Sequence, residues 1–286
     1  MAHPLPGVRR LLISSLLLGA LVPAQAEADP GDWGIFSTMC EFSHANFDDP
    51  IVYPGQPGAA HRHSFFGNRT TDAYTTTRSL ASTPTSCDRR QDHAAYWVPS
   101  LYENGEVLKP YEIHIYIRNT NVRDKASIVP FPKGLRMIAG TDAHAEPPKG
   151  ERTAEWSCAP AGQDGTAAVP PTCDGKPLLA IITFPSCWDG RRLTSADQSH
   201  VLYPWEHRAY PRGCPASHPI VLPELTEHVR YLPSSDDLTG LTLSSGPSDT
   251  LHADFWNAWE KPTIARLVAD CLWDGIECGT IGGTDP

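Results

Sequence analysis

YEIHIYIRN, residues 111–119, alternates strictly, with Ile113, Ile115 and Ile117 on one side and His114 and Tyr116 on the other. A period of two puts successive side chains on opposite faces, so this stretch predicts a strand with one face in a core. Working outward, LRMIAG (135–140) and LLAIITFP (178–185) are also strand candidates, and the second is an unbroken apolar run suited to burial on both faces. The 28 prolines and 22 glycines punctuate the chain and break helices. One good helix candidate survives, KPTIARLVADCLWD (261–274), where Pro262 is tolerated in a first turn and Ile264, Leu267, Val268 and Cys271 recur at helical spacing. The segment Thr141 to Gly175, small, polar and proline-rich, reads as a long surface loop. The sum predicts a mainly β chain, a single sandwich-like domain with long loops, disulfides and one C-terminal helix.

Arg9 and Arg10 precede the apolar run LLISSLLLGALV, and AQA at 24–26 has the small-residue pattern of a signal-peptidase site. The reading is a signal peptide over 1–26 and one secreted, extracellular domain over 27–286, with no later run near the roughly 20 apolar residues of a membrane span. Losing the leader removes two arginines and moves the formal net charge from −10 to −12. Such acidity argues against a nucleic-acid partner, which needs a basic footprint. Eight cysteines without a CxxC pair suit disulfides in an oxidising compartment rather than a zinc ribbon or a redox site. Short spacings suggest Cys158 with Cys173, Cys187 with Cys214 and Cys271 with Cys278, leaving Cys40 for Cys87, one of roughly a hundred pairings.

The residues that could carry chemistry are histidines and aspartates. In AAHRHSFFGNRT (59–70), strand geometry would present His61 and His63 to one face while Arg62 points away. LHADF (251–255) repeats the spacing with His252 and Asp254, opposite Ala253 and Phe255. Between them lie Asp189, Asp197 and His200, then His218, for which a structural role is favoured. Neutral imidazole and carboxylate suit zinc and other divalent metals, and a catalytic zinc keeps three protein ligands and one open position. His61 and His63 with His200 or His252 could supply those three, against the plainer reading of hydrogen-bonded polar side chains. Asp189, Asp197 and Asp254 are candidates for two-carboxylate glycoside hydrolysis. No GxSxG elbow supports a serine hydrolase. NRT at 68–70 matches a glycosylation sequon, although a Gly-Asn turn explains Asn68 equally. Trp97, Trp188, Trp205, Trp256 and Trp259 lie near these motifs and could stack on sugar rings, burial being their commoner fate.

HRHSFFGN, AAYWVPSLYENG, PKGLRMIAG, WSC, ITFPSCWDG, SADQSHVLYP, CPASHPIVLPEL and LHADFWNAWE together resemble, in order, the segments of the domain-of-unknown-function family DUF1996, over about 61–271. The resemblance implies a secreted protein with a glycan-related extracellular role. It also implies a shared set of His61, His63, Asn68, Trp97, Arg136, Asp189, His200, His218, His252 and Asp254. One departure stands out, Gln198 after Asp197 where the family commonly has an Asp-His pair.

Two functions compete at this point. The first is an enzyme, a hydrolase or lyase, acting on an extracellular polysaccharide or cell-wall polymer. In its metal form His61, His63 and His252 hold a divalent ion such as zinc, and His200, Asp254 or Asp189 moves protons. In its metal-free lyase form a histidine abstracts a proton beside a uronate carboxyl that Arg136 and Asn68 neutralise. The second is a non-catalytic wall- or glycan-binding module that uses the tryptophans.

Overall fold

The computed structural model describes residues 1, 33–119, 122, 124–140, 153–160, 165–204 and 213–279. Contacts divide the chain into Met1–Pro30 and Gly31–Pro286, and every element below lies in the second unit. Its main sheet is built from β1 (Ile35–Asn46), β2 (His63–Gly67), β3 (Ala95–Pro99), β4 (Glu112–Arg118), β5 (Arg136–Gly140), β6 (Ala154–Cys158), β7 (Leu178–Thr183), β8 (Glu224–Tyr231) and β9 (His252–Trp256). The order is β5-β9-β3-β2-β1-β4-β8-β7-β6, with a short strand Glu277–Cys278 added parallel to β1. The pairings along this path are antiparallel.

The long β1 makes this one sheet serve as two layers. Its first half pairs with β4 and its second half with β2, and the register shifts between Phe42 and His44, where a bulge turns the strand from one limb to the other. The limbs β4-β8-β7-β6 and β2-β3-β9-β5 then face each other across one core, and β5 approaches β7 to bring the far ends together. Ile113, Ile115 and Ile117 enter that core, as do Leu225, Val229 and Ile182 from the same limb and Phe66, Tyr96, Met137, Ala253 and Phe255 from the other. The isoleucines that alternate through residues 113–117 are therefore the inner face of β4.

β7 is buried from Leu178 to Ile182 on both faces, as its unbroken apolar run requires. The helix predicted near the end is present as α-helix Lys261–Leu267, with Pro262 in its first turn, continuing as one π-helical stretch to Trp273. All four expected disulfides are formed. The long loop reading of 141–175 needs correction where the chain is described. Ala154–Cys158 is the edge strand β6, held by the fully buried Trp156, whose indole N–H donates to the Ser248 carbonyl at 3.0 Å. Residues 141–152 and 161–164 lie outside the described residues.

The second limb has an outer face of its own, and this is what positions the site. Phe65, Ala95, Trp97 and Trp256 point away from the main core and are covered by Leu80 of a short helix (Thr77–Ser82), with Ile51 packed against them. A loop over 47–60 lies across the end of this face. It is stitched to the next loop through the Gly55 amide donating to the Ala73 carbonyl at 2.7 Å.

Candidate functional site

The register of β2, β3 and β9 brings two distant motifs into line. Phe65 and Asp254 both lie opposite Trp97, and His63 lies opposite Pro99. Stepping back two residues on β9 sets His252 in the same cross-strand row as His63. Odd-numbered side chains on β2 and even-numbered ones on β9 share the outer face, since Ala253 and Phe255 are fully buried in the main core. Arg62 turns away as expected, and its guanidinium donates to Ser100 Oγ at 2.7 Å.

Three imidazoles meet as a result. Ring centres are 4.2 Å apart for His61 and His63, 5.1 Å for His61 and His252, and 6.0 Å for His63 and His252. One ligand nitrogen from each lies within 4.8 Å of the others. Imidazoles bound through nitrogen to one tetrahedral ion at about 2.0–2.1 Å have ring centres about 5 Å apart, so the spacing fits a shared cation. Tautomers fit too. A carbonyl oxygen only accepts, so the bonds from His63 Nδ1 to the Asp48 carbonyl (3.0 Å) and from His252 Nδ1 to the Thr250 carbonyl (2.9 Å) fix the protons on Nδ1. Backbone carbonyls in this position orient metal-binding histidines. The Nε2 atoms of His61 and His63 are buried with no hydrogen-bond partner.

Electrostatics keep His61 and His63 neutral near pH 7. Burial, then the neighbouring His252, pulls His61 down to about 4. Burial, with His61 and His252 behind it, holds His63 well below the ordinary imidazole range against the opposing Asp48 carbonyl. His63 is fully buried, whereas His61 and His252 are half-buried and reach solvent.

A second donor set shares His63. Asp49 and Asp254 each place a carboxylate oxygen within 4.8 Å of the other and of a His63 ring nitrogen. Asp254 is 1% exposed and neither of its oxygens has a hydrogen-bond partner. Burial first, then Asp49 and Glu227, pushes its carboxyl well above the usual range. Burial also raises Asp49, opposed by the Val52 and Ile51 amides that donate to its Oδ1. Asp49 lay outside the sequence reading; in FDDP it makes a local turn through Oδ1, and the adjacent second carboxylate, Asp48, was the only signal.

The remaining candidates sit elsewhere. His200 is fully buried, with Nε2 donating to the Arg136 carbonyl at 2.7 Å and Nδ1 paired to Ser195 Oγ at 3.0 Å. Arg136 faces Trp256 whereas His252 faces Gly140, so His200 lies about four strand residues, roughly 13 Å, from the histidine cluster. Its place as a third ligand or proton carrier is corrected to that of a strut between a loop and β5. Asp189 caps its own turn, accepting from the Arg191 and Arg192 amides and pairing with the Arg192 guanidinium at 2.7 Å. Asp197 likewise accepts from Ser199 at an exposed turn. His218 donates to the Ser199 carbonyl at 3.0 Å, the structural role favoured for it. Gln198 is buried, and its side-chain oxygen accepts from the Ile138 amide, so the departure at this position does not touch the cluster.

Asn68 is fully buried, with its amide nitrogen donating to the Leu80 carbonyl and Thr83 Oγ1 and its oxygen accepting from Thr70. It is neither an open sequon nor a free donor for a uronate carboxyl. Arg136 lies over the Trp256 ring at 3.8 Å, and burial lowers its pKa from the ordinary guanidinium value. Trp97, Trp256 and Trp259 are core residues, and Trp188 is half-buried with its indole N–H on the Arg192 carbonyl; Trp205 lies outside the described residues. Beside the cluster, exposed aromatic surface comes from Phe47, Tyr53 and Tyr74 on the two stitched loops.

No curated protein and no solved structure matches the chain. The model of one family does, spanning residues 49–259, a range that takes in Asp49, His61, His63, His252 and Asp254. By that match over most of its length, the chain belongs to DUF1996, a domain of unknown function.

Proposed function

We propose that the chain is an exported, divalent-metal-dependent hydrolase of an extracellular polysaccharide or cell-wall polymer, with the ion on His61, His63 and His252. The observation that carries this reading is the convergence of three imidazoles with two of their tautomers fixed by backbone carbonyls. A bound divalent ion would bring a water to a pKa near 7. The chain's own residues supply the rest: His61 and His252 open the site to solvent, and the buried carboxyl of Asp254 stands beside His63. Four disulfides and the apolar run that follows Arg9 and Arg10 support export. Phe47, Tyr53 and Tyr74, 54%, 39% and 65% exposed, offer ring faces for sugars on the adjoining loops. The metal-free lyase alternative leans on Asn68, whose amide is already committed within the fold.

The test has two readouts. Zn²⁺ titration by calorimetry is expected to show a tight site that His61→Ala, His63→Ala and His252→Ala each weaken by on the order of 100-fold or more, since even residues behind a ligand are worth 10–100-fold. A panel of wall polysaccharides is then assayed for new reducing ends and for unsaturated products. Reducing ends that disappear on chelation are expected. Unsaturated products that persist after chelation would overturn the hydrolase reading.

A further inference from the structure

An ion on the three histidines leaves the neighbouring carboxylates unexplained. Asp254 is enclosed with both oxygens unpartnered, and Asp49, 5% exposed, commits only Oδ1 to the Ile51 and Val52 amides. Among the described residues no Lys or Arg is ion-paired with either. Two carboxylates taken from water and set this close repel each other, and buried carboxyl groups are ordinarily paired or bound to metal. His63 cannot serve both donor sets, because with Nδ1–H given to the Asp48 carbonyl it has a single lone pair, on Nε2. Asp254 can serve both, having two open oxygens.

We infer that Asp49 and Asp254 hold a second divalent cation beside the histidine site, with Asp254 placed to bridge the two ions. This inference rests on the proposed metal-dependent reading and extends it to a two-cation centre, whose ions ordinarily lie about 3.5–4 Å apart and clamp an attacking and a leaving oxygen. The donor sets differ in kind. Three imidazoles suit a zinc-like ion, whereas carboxylate oxygens suit a harder one of the Mn²⁺, Mg²⁺ or Ca²⁺ class. The loop that carries Asp49 is built to hold it. Asp48 anchors that loop by accepting from the Gly58 amide at 2.9 Å and the Ala73 amide at 3.2 Å.

The experiment titrates Mn²⁺ into the full chain, with and without prior Zn²⁺ loading, and follows free Mn²⁺ by electron paramagnetic resonance. One Mn²⁺ per chain is expected on top of bound Zn²⁺. Asp49→Asn, which keeps an Oδ1 for the Ile51 and Val52 amides, is expected to weaken Mn²⁺ by at least about tenfold while Zn²⁺ affinity holds within about threefold. Asp254→Asn is run beside it with near-ultraviolet circular dichroism as the folding check, and Asp49→Asn decides if that variant misfolds. No Mn²⁺ uptake by the chain in either state, or uptake that Asp49→Asn leaves unchanged, would overturn the second site. Loss of Zn²⁺ and Mn²⁺ together in Asp49→Asn would also overturn it, by reducing the centre to one ion. A chain that binds Mn²⁺ through Asp49 but takes up no Zn²⁺ would instead support the carboxylate site and sink the histidine one.

Discussion

Gly140 shows how tightly one residue can control the site. It lies across from His252 with φ at +111°, and a Cβ built on it would come within 2.7 Å of His252 Cα and 2.5 Å of the Leu251 carbonyl oxygen. Both contacts are with backbone, which cannot step aside cheaply, and the left-handed φ adds about 1–3 kcal/mol of strain for any side chain. Gly140→Ala is therefore expected to push His252 off its row, weakening Zn²⁺ while leaving Mn²⁺ on the carboxylates nearly unchanged. Calorimetric titration of the variant checks this, and unaltered Zn²⁺ affinity would show that the ring keeps its place without that glycine. His61, His63, His252 and Asp254 were legible in the sequence because a period of two is local: HRH and HAD each declare which side chains share a face. Asp49 was not legible, since nothing near it in the chain says that its carboxylate meets a strand some two hundred residues later.

Strand register decides which of the sequence's candidates are partners. His200 looked equivalent to His252 by residue type and neighbourhood, yet it bonds to the β5 backbone at Arg136, the far end of the pairing whose near end is Gly140 and His252. Leaving a buried carbonyl and the Ser195 hydroxyl without partners costs about 1–3 kcal/mol. His200→Ala is accordingly expected to lower unfolding free energy by about that amount in urea denaturation, with Zn²⁺ affinity preserved. Lost Zn²⁺ binding at unchanged stability would return His200 to the site. The same distinction explains what was readable of the elements. β4 announced itself through apolar alternation, β5 and β7 through short apolar stretches, unbroken in β7, and the late helix through its spacing. β6 did not, because Pro, Gly and small polar residues surround a single large apolar side chain, Trp156, whose burial depends on strands from elsewhere in the chain.

Folding one sheet over on itself gives the molecule two outer faces, and they differ in chemistry. One carries the histidine and carboxylate cluster. The other, across β4 and β8, sets His114 opposite His228, with Tyr116, Arg118 and Arg230 around them and Glu112 accepting from His114 at 2.7 Å. Burial, then Arg118, His114 and Arg230, lowers His228 to about 3. Between that value and the roughly 6.5 of an unfolded histidine, the unfolded chain binds a proton that the folded chain refuses. Stability from this residue is thus complete above about pH 6.5 and is lost as pH falls toward 3. Asp92 works in the opposite sense, since burial raises it to about 8 and the folded state keeps a proton that the unfolded state releases above about 4. The two slopes overlap, so the raw pH profile of the protein is ambiguous, but the difference between wild type and His228→Gln isolates one of them. That difference is expected to be constant above about pH 7 and to shift in favour of the variant as pH falls from about 6.5 to 4, read by urea denaturation at each pH. Parallel curves over that window would mean that His228 accepts its proton in the folded sheet, and that the arginines beside it do not set its charge.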